Sequence, residues 1–500
     1  MENLLLLLEK IQQLSPLPIF SQETIIVQNA GMQHWLNLSL AKQRGISMNV
    51  RYQLPAQFLW KLMRELASDE KVPDQSPYSR EVLAWRLCDL LADDALCADS
   101  AFEQPTQYWI NDKQAELKRY QLACQLADLY EQYLIFRPEW INDWHHGKLT
   151  LSDQEQARGG SESTDLPDLA LWQAKLWQRL IKDQPYNPVS LMEDAIKNIA
   201  DKKSTLPSRL SFFGINAMAP MWLNFINALS EHIDIHFFHL NPCYAYWGDI
   251  VTEKQAIKSI SQWVEGHDDI SQMVGNPLLA SFGQQGREFL ALLQQYSTVN
   301  IDVFEEIASS STAEHDSAKK DASVLEQVQQ DILSLNDGRT TPISQHDDSI
   351  IITSGHSALR EVQGLHDWLL HQFNDDPTLT PKDVLVMCPQ IENYAPYVNA
   401  VFTRGWQDMA DEIPPLPCSI ADRSASDSEP VVVAFSELLT LPDSRFQVSQ
   451  LLGFLRLPAI QKKFALSQSD LTKISQWLAQ ASIHWGLDKN HKQQVLNSEH

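Results

Sequence analysis

The chain is short of the residues that most often announce a function. Its six cysteines (Cys88, Cys97, Cys124, Cys243, Cys388, Cys418) form no CxxC pair, which offers neither a metal site nor a disulfide framework and fits reduced, buried thiols. Apolar runs reach only five residues, as in Leu4 to Leu8, far too few for a bilayer crossing. That run follows Met-Glu-Asn with no basic flank and no small-residue cleavage site. It therefore predicts the core face of a first helix instead of a signal peptide, and a cytoplasmic protein with no membrane partner. Positive charge is scarce: 39 Lys and Arg against 64 Asp and Glu give a net charge of −25, the reverse of a free-standing nucleic-acid binder. Any DNA contact must then be local, in a lined channel or cleft, or shared with a more basic partner.

What is present is the composition of an ordinary folded protein, 44% hydrophobic and 21% charged, and a length of 500 residues. One core does not accommodate that length, so two to four domains are expected. The stretch Thr24 to Trp60 sets the pattern. A buried apolar strand (Ile25, Ile26, Val27) runs into a polar Gln28-Asn29 loop, and a helix starts at about Gly31 with Met32, Trp35, Leu36 and Leu40 on one face. A second short strand (Met48, Val50, Tyr52) feeds Leu54-Pro55 and a helix carrying Phe58, Leu59, Leu62 and Met63. Proline is tolerated at that helix start because its missing N–H would be an orphan there. Two such units side by side describe an open α/β sheet, whose ligands sit at the carboxyl ends of the strands.

Residues 1–15 read as one helix with no strand before it, although an α/β sheet normally places a strand ahead of its first helix, so an opening strand is expected to be missing. From Lys61 to Pro207 helical stretches take over: Glu81 to Leu91, Leu117 to Leu134 and Leu169 to Ile181, interrupted by a polar loop from Glu155 to Asp168. This is a helical insertion between sheet elements. The sheet pattern resumes as a βαβ unit: strand Leu210 to Ile215, helix Met221 to Leu229, strand Ile233 to Leu240. Ser309 to Ala322 reads as a loop, followed by a helix around Val324 to Leu335. A second βαβ is expected from Ile350-Ile351-Ile352 through a helix over Ala358 to Phe373 to a strand from Val384 to Cys388, and helices return after Ser436.

Two α/β domains, the first interrupted by helices, suggest a nucleotide-driven motor, and the phosphate loop is the test. A GxxxxGK[ST] loop wraps backbone donors around phosphates and supplies a lysine. None exists: Gly147-Lys148 lacks the earlier glycine, and Gly355-His356-Ser357 lacks both the lysine and a second glycine. Where a motor places its magnesium-holding acidic pair after a buried strand, this chain has Gly214-Ile215-Asn216-Ala217. Of His232, His236 and His239, the last two point to opposite faces of a strand, and His145-His146 has no nearby carboxylate or cysteine pair, so no metal site assembles. No GxSxG elbow is present, and no set of carboxylates assembles into a nuclease centre from spacing alone.

What remains is a polar surface. Gln28, Asn29, Gln33, His34 and Asn37 place amides and an imidazole at a strand end and on the following helix, types suited to base edges; a solvated loop and helix face is the plainer reading. Asp128 and Glu131 lie three apart, opposite the apolar stripe of their helix, with Arg137 just beyond. Alone they are a solvated face. Beside a single strand, such carboxylates accept from cytosine amino groups. Trp35 reads as core, while Trp60 is open between core and a base-stacking platform.

The runs VQNAGMQHWL (27–36), LPAQFLW (54–60), DLYEQYLIFRPEW (128–140), LPSRLSFFGINAMAP (206–220), NPCYAYWGDI (241–250), VGNPLLASFG (274–283), DPTLTPKD (376–383) and LPDSRF (441–446) resemble, in order, the RecC family, the gamma subunits of the bacterial RecBCD helicase-nuclease, exodeoxyribonuclease V. The resemblance implies an α/β architecture of superfamily 1 helicase-like, P-loop-like domains that lack ATPase motifs and carry helical insertions. Residues 1–60 with 205–345 would form the first helicase-like domain, 61–204 its insertion, 346–435 the start of the second domain and 436–500 the start of its insertion.

It further implies a non-hydrolytic subunit in double-strand break repair by homologous recombination. Such a subunit binds duplex-end DNA, channels the unwound single strand and recognises the Chi hotspot. No cofactor is expected on this chain, because RecB-type and RecD-type partners use ATP and Mg and the RecB-type partner supplies the nuclease. By position the Chi-reading set falls on Gln28, Leu54, Trp60, Asp128, Leu129, Glu131 and Arg137, beside Asn29 and His34 from the polar surface. Ala30 stands where the best-known members have a hydroxyl residue and His34 where they have glutamine; an arginine near Tyr186-Asn187-Pro188 is not evident. The family's opening strand is absent, and the chain is less than half the usual length. The competing readings are an autonomous nuclease or ATPase with unrecognised motifs, and a pure assembly scaffold.

Overall fold

A computed structural model describes residues 1–18, 20–68, 72–151, 164–165, 168–182, 186–262, 274–296, 298–304, 322–340, 347–403, 416–421 and 429–497. The expected loops at Glu155–Asp168 and Ser309–Ala322 lie largely outside these residues. The chain divides into two compact units, Met1–Ile350 and Ile351–His500. Helix predominates, and no helix among the described residues is long and apolar enough to cross a membrane.

The first unit is built on a four-stranded parallel sheet of β1 (Glu23–Val27), β2 (Val50–Gln53), β3 (Arg209–Phe213) and β4 (Asp234–Phe238), in the order β2-β1-β3-β4. Ile26 pairs with Gln53 on one side and Phe212 on the other, and Phe213 pairs with Phe238. β1 and β3 are buried along their whole length, as central parallel strands covered on both faces must be. The period of two divides their side chains between faces. Ile25, Val27 and Phe213 pack with Leu5 and Leu8 of α1 (Glu2–Leu14) and with Leu36 and Leu40 of α2 (Ala30–Arg44). Ile26, Leu210 and Phe212 face the other way, toward α3 (Pro55–Leu66) and the larger core. The result is helix, sheet, helix.

Local chemistry explains the element ends. Asn29 caps α2, Gly45 closes it in the left-handed region with Lys42 and Arg44 in the last turn, and Pro55 opens α3 at a position where no N–H is needed. A buried ion pair ties the layers together: Arg209 Nε donates to Glu23 Oε1 at 3.0 Å, and Arg209 Nη1 donates to the Ser15 carbonyl at 2.8 Å just past α1.

The predicted helical insertion is present as α4 (Arg80–Leu91), α5 (Ala115–Phe136), α6 (Pro138–His145), α7 (Asp168–Leu180) and α8 (Pro188–Asn198), with shorter helices between them. Its centre is aromatic. Tyr130 and Trp177 lie 5.4 Å apart, Tyr133 meets Trp144 edge-on at 5.7 Å, and Tyr130 Oη donates to the Gln173 carbonyl at 2.7 Å. This core is continuous with the outer face of the sheet through Trp60, Met63 and Phe212. The chain then returns to β3, crosses through α9 (Pro220–Ser230) and pairs β4 beside β3, as the βαβ spacing predicts.

In the second unit α10 (Ala358–Asp375) packs Val362 and Leu369 against Val401 and Phe402. The sheet expected here is not formed among the described residues: 351–354 and 384–388 are irregular, and Ile352 and Leu385 are 92% and 84% exposed. Apolar runs of this kind suit a fully covered parallel strand, but a ladder also needs a neighbour to take its N–H and C=O groups. Among the described residues the fold is thus mostly helical α/β with a small parallel four-stranded sheet in the first unit, and the second βαβ expected from Ile350 to Cys388 has no strands.

Candidate nucleic-acid interface

In the order β2-β1-β3-β4 the chain leaves β1 toward one side and returns to pair β3 on the other, and the crevice outside the carboxyl ends of such strands is the usual ligand position. Gln28 and Asn29 follow β1 and are exposed; Leu54 follows the neighbouring β2 and is 41% exposed. Asn29 Oδ1 accepts from the Met32 N–H at 2.8 Å. That oxygen is committed to the helix cap, so the side-chain nitrogen is the part of Asn29 suited to a base acceptor. Glycine is needed at the end of β3: Gly214 has a φ of +66°, and a Cβ there would stand 3.2 Å from Met32 Cε. Both constraints fix the first turn of α2 close over the sheet edge.

Along α2, Gln33, His34 and Asn37 are exposed, and Asn37 Oδ1 accepts from Ser47 Oγ at 2.7 Å. Trp35 turns inward, its ring centroid 6.3 Å from that of Phe213, as its place on the apolar face predicts. The platform expected at Trp60 is not open. Trp60 is 8% exposed, and its Nε1 donates to the Pro73 carbonyl at 3.3 Å, because the apolar face of α3 is drawn into the shared core.

The second group sits on α5. Asp128 and Glu131 are partly covered instead of freely solvated, because α4 lies beside them. Arg80 Nη1 stands 3.4 Å from Asp128 Oδ1, and Gln132 Nε2 donates to Asp128 Oδ2 at 3.3 Å. Burial pushes the Glu131 carboxyl up; Arg80 opposes that shift, while Glu81 and Asp128 add to it. Leu129 is half-buried. Arg137 ends α5 and starts α6, exposed, with its guanidinium 5.5 Å over the Trp140 ring.

The structure therefore brings Gln28, Asn29 and Leu54 to one sheet edge, and Asp128 and Glu131 to one helix pair, with both groups mounted on the same apolar core. Arg80 is the residue that the sequence reading missed. Its signal is tertiary, the register between two helices, and no spacing along the chain contains it. Chemically the arrangement offers hydrogen-bond donors and acceptors with no nucleophile and base held together. Among the described residues no three His, Cys, Asp or Glu side chains converge where a metal ion could sit.

Comparison with known proteins gives two family matches. The RecC N-terminal domain matches residues 1–335, and the fourth domain of RecBCD enzyme subunit RecC matches residues 428–500. The chain is similar to the RecBCD enzyme subunit RecC of Haemophilus influenzae, with 33% identity over 97% of this chain and 46% of the relative. Against the subunit of the same name from Escherichia coli the identity is 31% over 95% and 43%, and against that of Mycolicibacterium smegmatis 28% over 95% and 41%. The chain thus spans less than half the length of these curated relatives.

Proposed function

Because the chain belongs to the RecC family, we propose that it forms the N-terminal part of the non-hydrolytic subunit of a RecBCD-type helicase-nuclease. In this reading it acts in the cytoplasm in double-strand break repair by homologous recombination, leading an unwound single strand past its sheet edge and reading a Chi-type hotspot there. RecB-type and RecD-type partners use the ATP and Mg, and this chain binds no cofactor of its own. Residues 1–60 with 205–345 act as a first superfamily 1 helicase-like domain with its insertion at 61–204. Residues 346–435 open a second such domain and 436–500 its insertion; the apolar runs at 351–354 and 384–388 are then strands awaiting ladder partners.

The observation that carries this reading is the amide pair Gln28 and Asn29 at the carboxyl end of a central parallel strand, a ligand position furnished for base edges in a chain without a phosphate loop. The carboxylates of Asp128 and Glu131 are unsuited to phosphates, which they repel, and suited to base amino groups, from which they accept. His34 and Ala30 depart from the residues that the family resemblance implies at these positions, which leaves the particular hotspot sequence open.

The test uses the complete subunit assembled with its partners. Gln28→Ala and Asp128→Ala are expected to keep DNA unwinding while weakening the response to the hotspot. An unchanged hotspot response, with unwinding intact, rejects sequence reading by this surface and leaves an assembly scaffold. ATP turnover by the purified chain alone rejects the non-hydrolytic role.

A further inference from the structure

The helical insertion carries an aromatic surface that the strand-reading residues do not use. On α4, Val82 and Trp85 are exposed, Trp85 to 65%; on α5, Leu117 and Tyr120 are exposed. The Trp85 and Tyr120 rings are packed on each other across the two helices, centroids 4.9 Å apart. Each aromatic has its aliphatic neighbour three residues earlier, so the four side chains form one patch along the helix pair. Grouped exposure of large apolar side chains marks a surface that something covers.

The charges around the patch say what. Glu81, Asp89 and Glu116 are exposed. Asp89, Glu116 and Arg119 all act on Cys88, one turn along α4 from Trp85, and Glu81 acts with Asp128 on Glu131. Against these acids the two helices carry Arg80, Arg86, Lys118 and Arg119; Arg80 is engaged by Asp128, Lys118 by Asp112, and Arg86 by the Pro77 and Leu180 carbonyls. A carboxylate rim repels the phosphates of a strand laid across the aromatics, because backbone charge dominates nucleic-acid affinity. It attracts a polypeptide surface whose lysines and arginines ring an apolar pocket, the setting in which Trp and Tyr become anchors.

We propose that Val82, Trp85, Leu117 and Tyr120 form a docking site for a second protein subunit, which receives Trp85 in an apolar pocket and sets a Lys/Arg rim against Glu81, Asp89 and Glu116. The site rests on the proposed reading of the chain as one subunit of a multi-subunit enzyme but not on its strand-reading assignment, and it stands on a different part of the helix pair.

The experiment uses the complete subunit co-expressed with the other subunits of its enzyme. Trp85→Ala with Tyr120→Ala, and separately Glu81→Lys with Glu116→Lys, are compared with the parent, using circular dichroism and the unfolding midpoint as folding controls for these surface positions. The aromatic pair is expected to weaken subunit association by roughly tenfold or more. The charge-reversed pair is expected to slow association and flatten its salt dependence. Affinity for a single-stranded oligonucleotide is expected to stay unchanged in the aromatic pair and not to fall in the charge-reversed pair, whose added lysines favour phosphates. Subunit association that survives both double substitutions overturns the proposal. So does a loss of oligonucleotide affinity with association intact, which makes the patch a base-stacking platform. Protection of Trp85 from oxidative footprinting in the complete subunit, before any partner is added, overturns it in favour of packing within the chain.

Discussion

Arg80 holds together the electrostatics of the α4–α5 pair. Its guanidinium faces Asp128, and it opposes the upward shift that burial imposes on Glu131. Both Arg80 and Asp128 are more than one third exposed, so Arg80→Gln is expected to cost less than about 1 kcal/mol in urea unfolding. Glu131→Gln is expected to act the other way. A carboxyl whose pKa rises on folding favours the folded state most where it is protonated, and penalises it once pH exceeds the folded-state value. The amide should therefore unfold at a higher urea midpoint at neutral pH, with an advantage that fades as acid protonates the parent. A lower neutral midpoint for Glu131→Gln contradicts this account. Trp60 teaches the opposite lesson at the same scale: its sequence context fits either core or platform, and the tight apolar face of α3 decides for core.

At the scale of elements, the lock between α1, β1 and β3 is the buried pair Arg209 and Glu23. Removing one partner leaves a buried charge uncompensated, so Arg209→Met is expected to destabilise the first unit by about 3–5 kcal/mol. The double change Glu23→Met with Arg209→Met should recover much of that loss, and chemical denaturation of the three variants reads the cycle. A double variant no more stable than Arg209→Met shows that the pair does more than neutralise charge.

The elements themselves were readable in advance where their signals are local. Ile25 to Val27, the helix after Asn29, Pro55 at a helix start and the βαβ from Leu210 all appear within a few residues of the expected bounds. The strands expected at Ile350 to Ile352 and Val384 to Cys388 do not appear, because an apolar run specifies a covered face and leaves the ladder partner unspecified.

For the whole molecule, the net charge of −25 sets the terms of any DNA binding. Few phosphates can be neutralised, so the chain by itself is expected to bind a single-stranded oligonucleotide weakly. The logarithm of its affinity should fall only shallowly with the logarithm of salt. Fluorescence anisotropy across a salt series measures the slope, and a steep one would reveal a basic track that the described surface does not account for.

The sequence by itself determined the periodic elements, the missing phosphate loop, the polar side chains at the end of β1 and the family to which the chain belongs. These follow from residue type and near-neighbour spacing. Only the tertiary structure decided the strand order β2-β1-β3-β4, the burial of Trp60, the approach of Arg80 to Asp128 and the exposure of Trp85 against Tyr120. Each joins residues far apart in the chain, and which faces meet, in which register, is set by packing the whole core at once.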